Sequence, residues 1–153
     1  MTALNLPPYD AKIQTADGQT RIFDVLRRRF VALTPEEWVR QHFVQHLLTS
    51  YGYPSGLMAN EVSLTLNGMS RRCDTVVYDR SLRARIIIEY KRPTVEITQR
   101  VFDQISRYNM VMQVDFLIVI NGMAHYCCRM DYGRQTYEFL PDIPTFAMLT
   151  DNS

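Results

Sequence analysis

The sequence predicts a mixed α/β domain (α+β mixed) in which one mixed sheet is flanked by helices. Three observations lead to this prediction: a clear helix start at Thr34, short apolar runs of strand length after that helix, and a second helical pattern between the third and fourth runs. The predicted order is therefore helix, three strands, helix and strand, followed by a C-terminal hairpin. One mixed sheet with helices packed on it accommodates this order.

The first helix is indicated by its N-terminal residues. Thr34 suits the N-cap, Pro35 suits the first helical position, and Glu37 stands where it would complete a capping box. Apolar residues then recur near helical spacing as far as about Thr49, which predicts one buried stripe. The stripe consists of Trp38, Val39, Phe43, Leu47 and Leu48.

Three strands are predicted after this helix. Residues 61–66 alternate between apolar and polar side chains and end at Asn67–Gly68, a pair typical of a hairpin turn. Residues 73–78 and 85–91 are rich in β-branched residues, which favours two further strands. The last of these runs is apolar enough to lie buried in the sheet.

A second helix is predicted from about Glu96 to Met112, before a fourth strand at 115–120. Because this helix separates the third and fourth strands, we expect those strands to be parallel. Two more strands, at 124–130 and 135–140, would form the C-terminal hairpin. The residues expected to face the core from the second helix are Val101, Phe102, Ile105, Tyr108 and Met112.

The chain has 153 residues, which is enough for one domain with a substantial core. We expect an N-terminal arm at 1–20, the domain at 21–140 and a polar C-terminal tail at 141–153. No apolar stretch reaches the length of a membrane span, and the first residues do not resemble a signal peptide. Three cysteines, two of them adjacent, do not indicate a disulfide framework, so we expect a reducing, cytoplasmic location.

Acidic residues and one lysine are predicted to meet at the ends of two neighbouring strands. Side chains alternate across a strand, so Glu89 and Lys91 share one face, and Asp74 opens the strand before them. Buried charges are costly unless they are paired or bind something. Two carboxylates and a lysine can hold a hard divalent cation and orient a water molecule. The alternative is a structural ion pair made by Glu89.

The segment 71–92 is locally basic, although the formal net charge of the chain is only +1. It contains seven Arg and Lys residues against three acidic ones, and nearly all of the basic residues are arginine. Arginine suits bidentate contacts with phosphate. A solvated, charged hairpin loop is the alternative.

Several short motifs, taken in order, resemble the PD-(D/E)xK nuclease superfamily. Within it, the closer match is the N-terminal domain family of type I restriction enzyme R subunits, in its compact form. The motifs that carry the resemblance are residues 34–41, 52–54, Glu61, 72–78, 88–93, 104–109 and Asn121–Gly122. Cys73 stands where the superfamily name has proline, and the sequence contains no Gly-rich phosphate-binding motif of an ATP-driven motor.

The resemblance implies that Asp74 and Glu89 ligate Mg²⁺, for which Mn²⁺ should substitute. Lys91 would position the attacking water or stabilise charge that develops on the phosphate. The backbone carbonyl of Tyr90 is suitably placed in the strand to complete the ligand set.

Glu37 corresponds to the acidic residue that some family members supply from the first helix, and it is expected as a further metal ligand. Its structural alternative is the capping box. Glu36 is the other acidic candidate on the same helical turn.

Gln104 and Tyr108 resemble the Gln-x-x-x-Tyr motif of nuclease domains that are joined to helicases. In those domains the motif lies beside the site and contacts DNA, so Gln104 is expected at the catalytic site and both residues at the nucleic acid. The alternative is a helix face that packs Tyr108 in the core. Arg72 and Arg92 flank the acidic pair and are expected to hold phosphates, with solvated surface charges as the alternative for each.

The function expected from these residues is Mg²⁺-dependent hydrolysis of phosphodiester bonds in DNA, in restriction, defence or repair. The alternative is a catalytically silent module of the same fold that binds nucleic acid or assembles with a partner. The expected partners are DNA and a separate helicase motor or specificity subunit. A homodimer is a further option, because double-strand cutting needs two sites.

Overall fold

The computed structural model describes residues 1–150, and residues 151–153 lie outside the described part. The chain forms nine strands, three α-helices and one 3-10 turn within these residues. The elements are β1 (Ile13–Ala16), β2 (Gln19–Asp24), β3 (Arg29–Ala32), α1 (Pro35–Ser50), the 3-10 turn Ser55–Leu57, β4 (Met58–Leu66), β5 (Met69–Tyr78), β6 (Ala84–Tyr90), α2 (Gln99–Met110), β7 (Phe116–Ile120), β8 (His125–Asp131), β9 (Thr136–Leu140) and α3 (Phe146–Thr150).

Strands β4 to β9 form one six-stranded mixed sheet in which sequence neighbours are also neighbours in space. Every pairing is antiparallel except that of β6 with β7, which runs in parallel from Ile86–Phe116 to Tyr90–Ile120. Helix α2 makes the connection between these two parallel strands. The predicted mixed sheet, with its one parallel pair, is therefore confirmed.

The two long helices cover opposite faces of this sheet. On one face, α1 packs Val39, Phe43 and Leu47 against Ile86 and Ile88, and all five side chains are fully buried. On the other face, α2 packs Phe102 against a separate apolar cluster that includes Ile87, Leu117 and Val119. Successive residues of β6 thus alternate between the two cores, as a strand buried on both faces requires.

Part of the expected N-terminal arm at 1–20 forms regular structure. Strands β1, β2 and β3 form a small antiparallel sheet of their own. Asp17 and Gly18 have φ values of 53° and 73°, which suits the tight turn that joins β1 to β2. All four residues of β1 are exposed, so this strand has no apolar alternation from which it could be predicted.

The C-terminal tail, predicted to be polar, carries buried apolar residues in its described part. Ile143, Phe146 and Leu149 are buried in the core on the α1 face. The carbonyl of Leu149 accepts a hydrogen bond from Arg85, which is fully buried and is further held by Asp79 and Asp115. In residues 1–150, no helix has the length and apolarity that crossing a bilayer requires.

Candidate active site

The side chains of Asp74 and Glu89 face each other where β5 and β6 cease to pair. The backbone register between these strands reaches Thr75–Ile88. Immediately beyond it, the Asp74 side chain takes the place of a backbone partner, because its Oδ2 accepts a hydrogen bond of 2.9 Å from the Tyr90 amide. This bond fixes the Asp74 carboxylate at the end of the ladder, beside Glu89.

The Asp74–Glu89 pair is electrostatically unfavourable when both groups are ionised. Burial, the charge of Asp74 and a hydrogen bond between the two carboxyl groups together raise the pKa of Glu89 to about 8, and contacts with Asn109 and Lys91 oppose this rise. Near neutral pH the pair therefore retains a proton. A divalent cation would remove the repulsion and allow both carboxylates to ionise, which is the charge balance that Mg²⁺ or Mn²⁺ supplies.

Asn109, on α2, completes the surroundings of the pair. It is fully buried, its Nδ2 donates to the carbonyl of Ile105 at 2.9 Å, and no group in the described residues donates to its Oδ1. A buried carbonyl oxygen without a partner, on a side chain that contacts Glu89, fits a hard cation that binds through oxygen atoms. Our sequence analysis missed Asn109, although Phe102, Ser106 and Asn109 recur at helical spacing on the buried side of α2.

Lys91 and the backbone of Tyr90 lie directly after Glu89. Lys91 is partly buried, and its amide donates to the carbonyl of Ile120 at 2.8 Å, so the end of β6 stays anchored to β7. The positive charge of Lys91 lies close enough to Glu89 to favour the ionised carboxylate. The structure thus brings together Asp74, Glu89 and Lys91.

Glu37 does not join that carboxyl pair. Within residues 1–150, no three His, Cys, Asp or Glu side chains cluster closely enough to hold a metal ion. The Glu37 carboxylate accepts hydrogen bonds from Arg40 at 2.6 and 2.8 Å, from Gln41 at 2.8 Å and from Arg27 at 2.9 Å. Its amide donates to the Thr34 hydroxyl, so the predicted N-cap is confirmed, while the carboxylate binds arginines.

Glu37 and Asp74 nevertheless line one cavity of about 380 Å³. Glu36 lines it too, but its side chain is exposed on the first turn of α1. Ligation of a metal by Glu37 would require its carboxylate to exchange arginine partners for the cation.

A chain of alternating charges borders this cavity. Arg40 is only 6% exposed, yet its pKa is raised, because hydrogen bonds and charge from Glu37 and Glu61 outweigh the effect of burial. The pKa of Glu61 is lowered, because Arg40 and Arg72 outweigh its burial. The full chain runs Asp24, Arg27, Glu37, Arg40, Glu61 and Arg72.

The predicted nucleic-acid residues Arg72, Arg92 and Gln104 lie on the surface. The side chain of Arg72 is 64% exposed and contacts Glu61 at 3.2 Å, and Arg92 is exposed directly after Lys91. Gln104 is exposed on α2.

Tyr108 is 50% exposed, so the expectation that it faces the core is wrong. The guanidinium of Arg71 lies 4.5 Å from the centre of its ring, and Arg71 Nε donates to the Tyr108 carbonyl at 3.1 Å. The helix turns Asn109 inward instead, and Tyr108 remains available to solvent.

The mixed sheet, the helices on both faces and the carboxyl pair beside a lysine together define a restriction-endonuclease-like fold. Residues 35–144 match the family model described as the N terminus of type I restriction enzyme R protein (HSDR_N), and the chain belongs to this family. Among curated proteins, no match was found.

Two solved structures are similar to the chain. One is a fragment assigned as an HsdR subunit of a type I restriction enzyme from Vibrio vulnificus YJ016, with 18% identity and a TM-score of 0.54. The match covers 78% of this chain and 25% of that chain, so this chain spans about a quarter of its relative. The other is a complex of DrdV with DNA, with 18% identity, a TM-score of 0.44, and coverage of 77% of this chain and 11% of that chain.

Proposed function

We propose that this domain hydrolyses phosphodiester bonds in DNA with the help of Mg²⁺. The observation that carries the proposal is the Asp74–Glu89 pair, held side by side next to Lys91 in a domain of a restriction enzyme family. A purely structural role does not explain why two mutually repelling carboxyl groups lie side by side, because neither group forms an ion pair with arginine within residues 1–150.

In the proposed site, Asp74, Glu89 and the carbonyl of Tyr90 hold the metal, with the Oδ1 of Asn109 within the same surroundings. When bound, Mg²⁺ polarises the phosphate and lowers the pKa of a water molecule. Lys91 orients that water or stabilises the negative charge that develops on the phosphate. The Tyr90 amide keeps the Asp74 carboxylate in place throughout.

The exposed side chains around the pair suit a DNA backbone. Arg72 and Arg92 supply positive charge for phosphates, and Gln104 supplies a hydrogen-bonding amide. The stacked Arg71 and Tyr108 present a flat, cationic surface on which an unpaired base can lie. We propose that this surface leads the DNA strand towards Asp74 and Glu89.

The cellular role of the domain follows from its family. Because the chain spans about a quarter of the HsdR fragment, we propose that a helicase motor and a specificity subunit act with it in restriction. All three cysteines are free and buried, which is consistent with the proposed cytoplasmic location. A homodimer is proposed only for cutting both strands of a duplex.

The test incubates the protein with supercoiled plasmid, linear duplex and single-stranded DNA in Mg²⁺ or Mn²⁺. Lys91→Ala is the site variant, and Lys12→Ala is its matched control, because Lys12 is the other lysine of the chain and is exposed on the N-terminal sheet near Phe23. Metal-dependent cleavage by the wild type and by Lys12→Ala, but not by Lys91→Ala, supports the proposal. Equal cleavage by all three proteins refutes the role of Lys91.

A silent nucleic-acid-binding module is the second candidate. It is favoured by one observation: Arg40 and Arg27 already occupy the carboxylate of Glu37, which leaves the site two acidic side chains rather than three. Calorimetric titration with Mn²⁺ separates the candidates. Binding without cleavage of any substrate indicates that a partner is missing, and failure to bind Mn²⁺ indicates the silent module.

A further inference from the structure

Strand β5 breaks its regular alternation at Asp74. In a regular strand, Cys73, Thr75 and Val77 would point to one face of the sheet. Thr75 and Val77 do lie on the α1 face, where the Thr75 hydroxyl donates to Asn60 Oδ1 at 2.6 Å and lies 3.1 Å from the Tyr90 hydroxyl. Cys73 instead packs in the cluster on the α2 face. The backbone therefore turns over between Cys73 and Thr75, at Asp74.

The neighbouring strand β4 is distorted at the same level. Glu61 lies opposite Asp74, between regular backbone pairs on either side. It has a φ of 56°, in the left-handed region that residues other than glycine, asparagine and aspartate rarely adopt. Distortions of this kind in a sheet redirect side chains and are frequent next to active sites.

Arg40 joins the two distorted residues from α1. Its Nη1 donates to the Glu61 carboxylate at 2.8 Å and to the Asp74 carbonyl at 2.9 Å. Its Nε and Nη2 are fixed by Glu37, so the guanidinium is held on both sides. The carbonyl of Asp74 is thereby turned towards α1, and its side chain is left to point towards the Tyr90 amide and Glu89.

We propose that Glu61 and Arg40 are positioning residues for Asp74. The left-handed backbone of Glu61, held by Arg40, kinks β5 and turns the Asp74 carboxylate towards Glu89. The metal-binding consequence of this geometry rests on the proposed function, whereas the direction of the Asp74 side chain does not.

Two substitutions at one position test the proposal. Glu61→Gly and Glu61→Val both remove the carboxylate that binds Arg40. Glycine accepts a positive φ without strain, whereas valine, a β-branched residue, opposes it. A difference between the two variants therefore reports on the backbone of Glu61 and not on its charge.

Hydrogen exchange of the Tyr90 amide gives a readout that needs no metal, because this amide donates to Asp74 Oδ2. We expect the Tyr90 amide to exchange about fivefold faster in Glu61→Val than in Glu61→Gly, as the loss of one hydrogen bond implies. Asp74→Ala gives the rate expected when the bond is absent. Equal exchange rates in Glu61→Gly and Glu61→Val would overturn the proposal.

Calorimetric titration with Mn²⁺ gives the second readout. Glu61→Val should bind Mn²⁺ about 10- to 100-fold more weakly than Glu61→Gly, as is typical when a residue that orients a ligand is lost. If the wild type binds no Mn²⁺, the proposed function fails. The exchange rate of the Tyr90 amide still tests whether the Glu61 backbone sets the direction of the Asp74 side chain.

Arg40→Lys serves where Glu61→Val does not fold. A lysine keeps the positive charge but cannot bind Glu37, Glu61 and the Asp74 carbonyl in the fixed geometry of a guanidinium. We expect faster exchange of the Tyr90 amide in Arg40→Lys, and a wild-type rate would overturn the role of Arg40.

Discussion

Replacing Glu89 with glutamine should stabilise the metal-free protein at alkaline pH. The pKa of Glu89 is raised from 4.5 to about 8 in the fold, chiefly by burial and by the charge of Asp74. Between these two values the unfolded chain loses the proton while the folded protein keeps it, so the free energy of unfolding falls as the pH rises. Below the lower value both states are protonated and the effect disappears.

The gap between the two pKa values sets the size of the effect. It corresponds to roughly 5 kcal/mol when the folded carboxyl group is fully ionised. This is an upper limit, because an ionised Glu89 would draw water or cations to itself. We therefore expect the free energy of unfolding of Glu89→Gln to exceed that of the wild type by about 2–5 kcal/mol above pH ~8, and by much less near pH ~5.

Urea unfolding at about pH 5 and about pH 8.5, with chelator present, measures the difference. The exposed Glu96 provides a matched control, and Glu96→Gln should behave like the wild type at both values. At alkaline pH, Mn²⁺ at a hundredfold excess over its dissociation constant should raise the free energy of unfolding of the wild type by about 2.7 kcal/mol. The same addition should leave the free energy of unfolding of Glu89→Gln unchanged.

One result would refute this reasoning. If Glu89→Gln is less stable than the wild type at both pH values, Glu89 forms a structural ion pair with Lys91. Removing its charge would then leave the partly buried lysine without a partner, which is costly.

Three further predictions concern the frame around the site. Arg85→Ala should lower the free energy of unfolding by about 3–5 kcal/mol in calorimetry, because Asp79 and Asp115 lose their buried partner; a loss below ~1 kcal/mol would contradict this. Gly122→Ala should cost about 1–3 kcal/mol in urea unfolding, since its φ is 87° and a Cβ would lie 2.7 Å from a Leu4 methyl group, whereas Gly133→Ala should be tolerated. Asp24→Asn should cost about 1.5–3 kcal/mol at neutral pH, because hydrogen bonds from Arg27 and Asn60 overcome burial and lower the pKa of Asp24. This contribution to the free energy of unfolding is present above the ordinary aspartate pKa and is lost as the pH falls through the lowered pKa of Asp24. When unfolding is measured at decreasing pH, the free energies of unfolding of Asp24→Asn and the wild type should therefore converge.

The proximity of Asp74 and Glu89 could be predicted from the sequence, because it depends on local rules. Strand alternation places Glu89 and Lys91 on one face, and an antiparallel connection brings Asp74 next to them. The helix start at Thr34 could be predicted for the same reason, since an N-cap depends on three or four adjacent residues. Their role as metal ligands stays a prediction.

The rest of the site depends on contacts between distant segments. Nothing local distinguishes Glu61 from an ordinary strand residue, since its left-handed backbone is held by Arg40, a residue 21 positions earlier. Glu37 satisfies the sequence pattern of a capping box, but Arg27 and Arg40 provide stronger, charged donors for its carboxylate. Helical spacing alone leaves the choice between Tyr108 and Asn109 open, and the packing of α2 on the sheet turns Asn109 inward.

The distribution of charge around the cavity argues for a cation at one place. Asp24, Glu37 and Glu61 each bind an arginine, so three acidic and three basic groups neutralise one another along the charge chain. Asp74 and Glu89 share no such partner within residues 1–150, and Lys91 supplies a single charge against their two. A fold that pairs Asp24, Glu37 and Glu61 with arginine could have paired these as well. Full ionisation of the pair would therefore leave one negative charge uncompensated between the two strands whose ends present Asp74 and Glu89, which is where a divalent cation would bind.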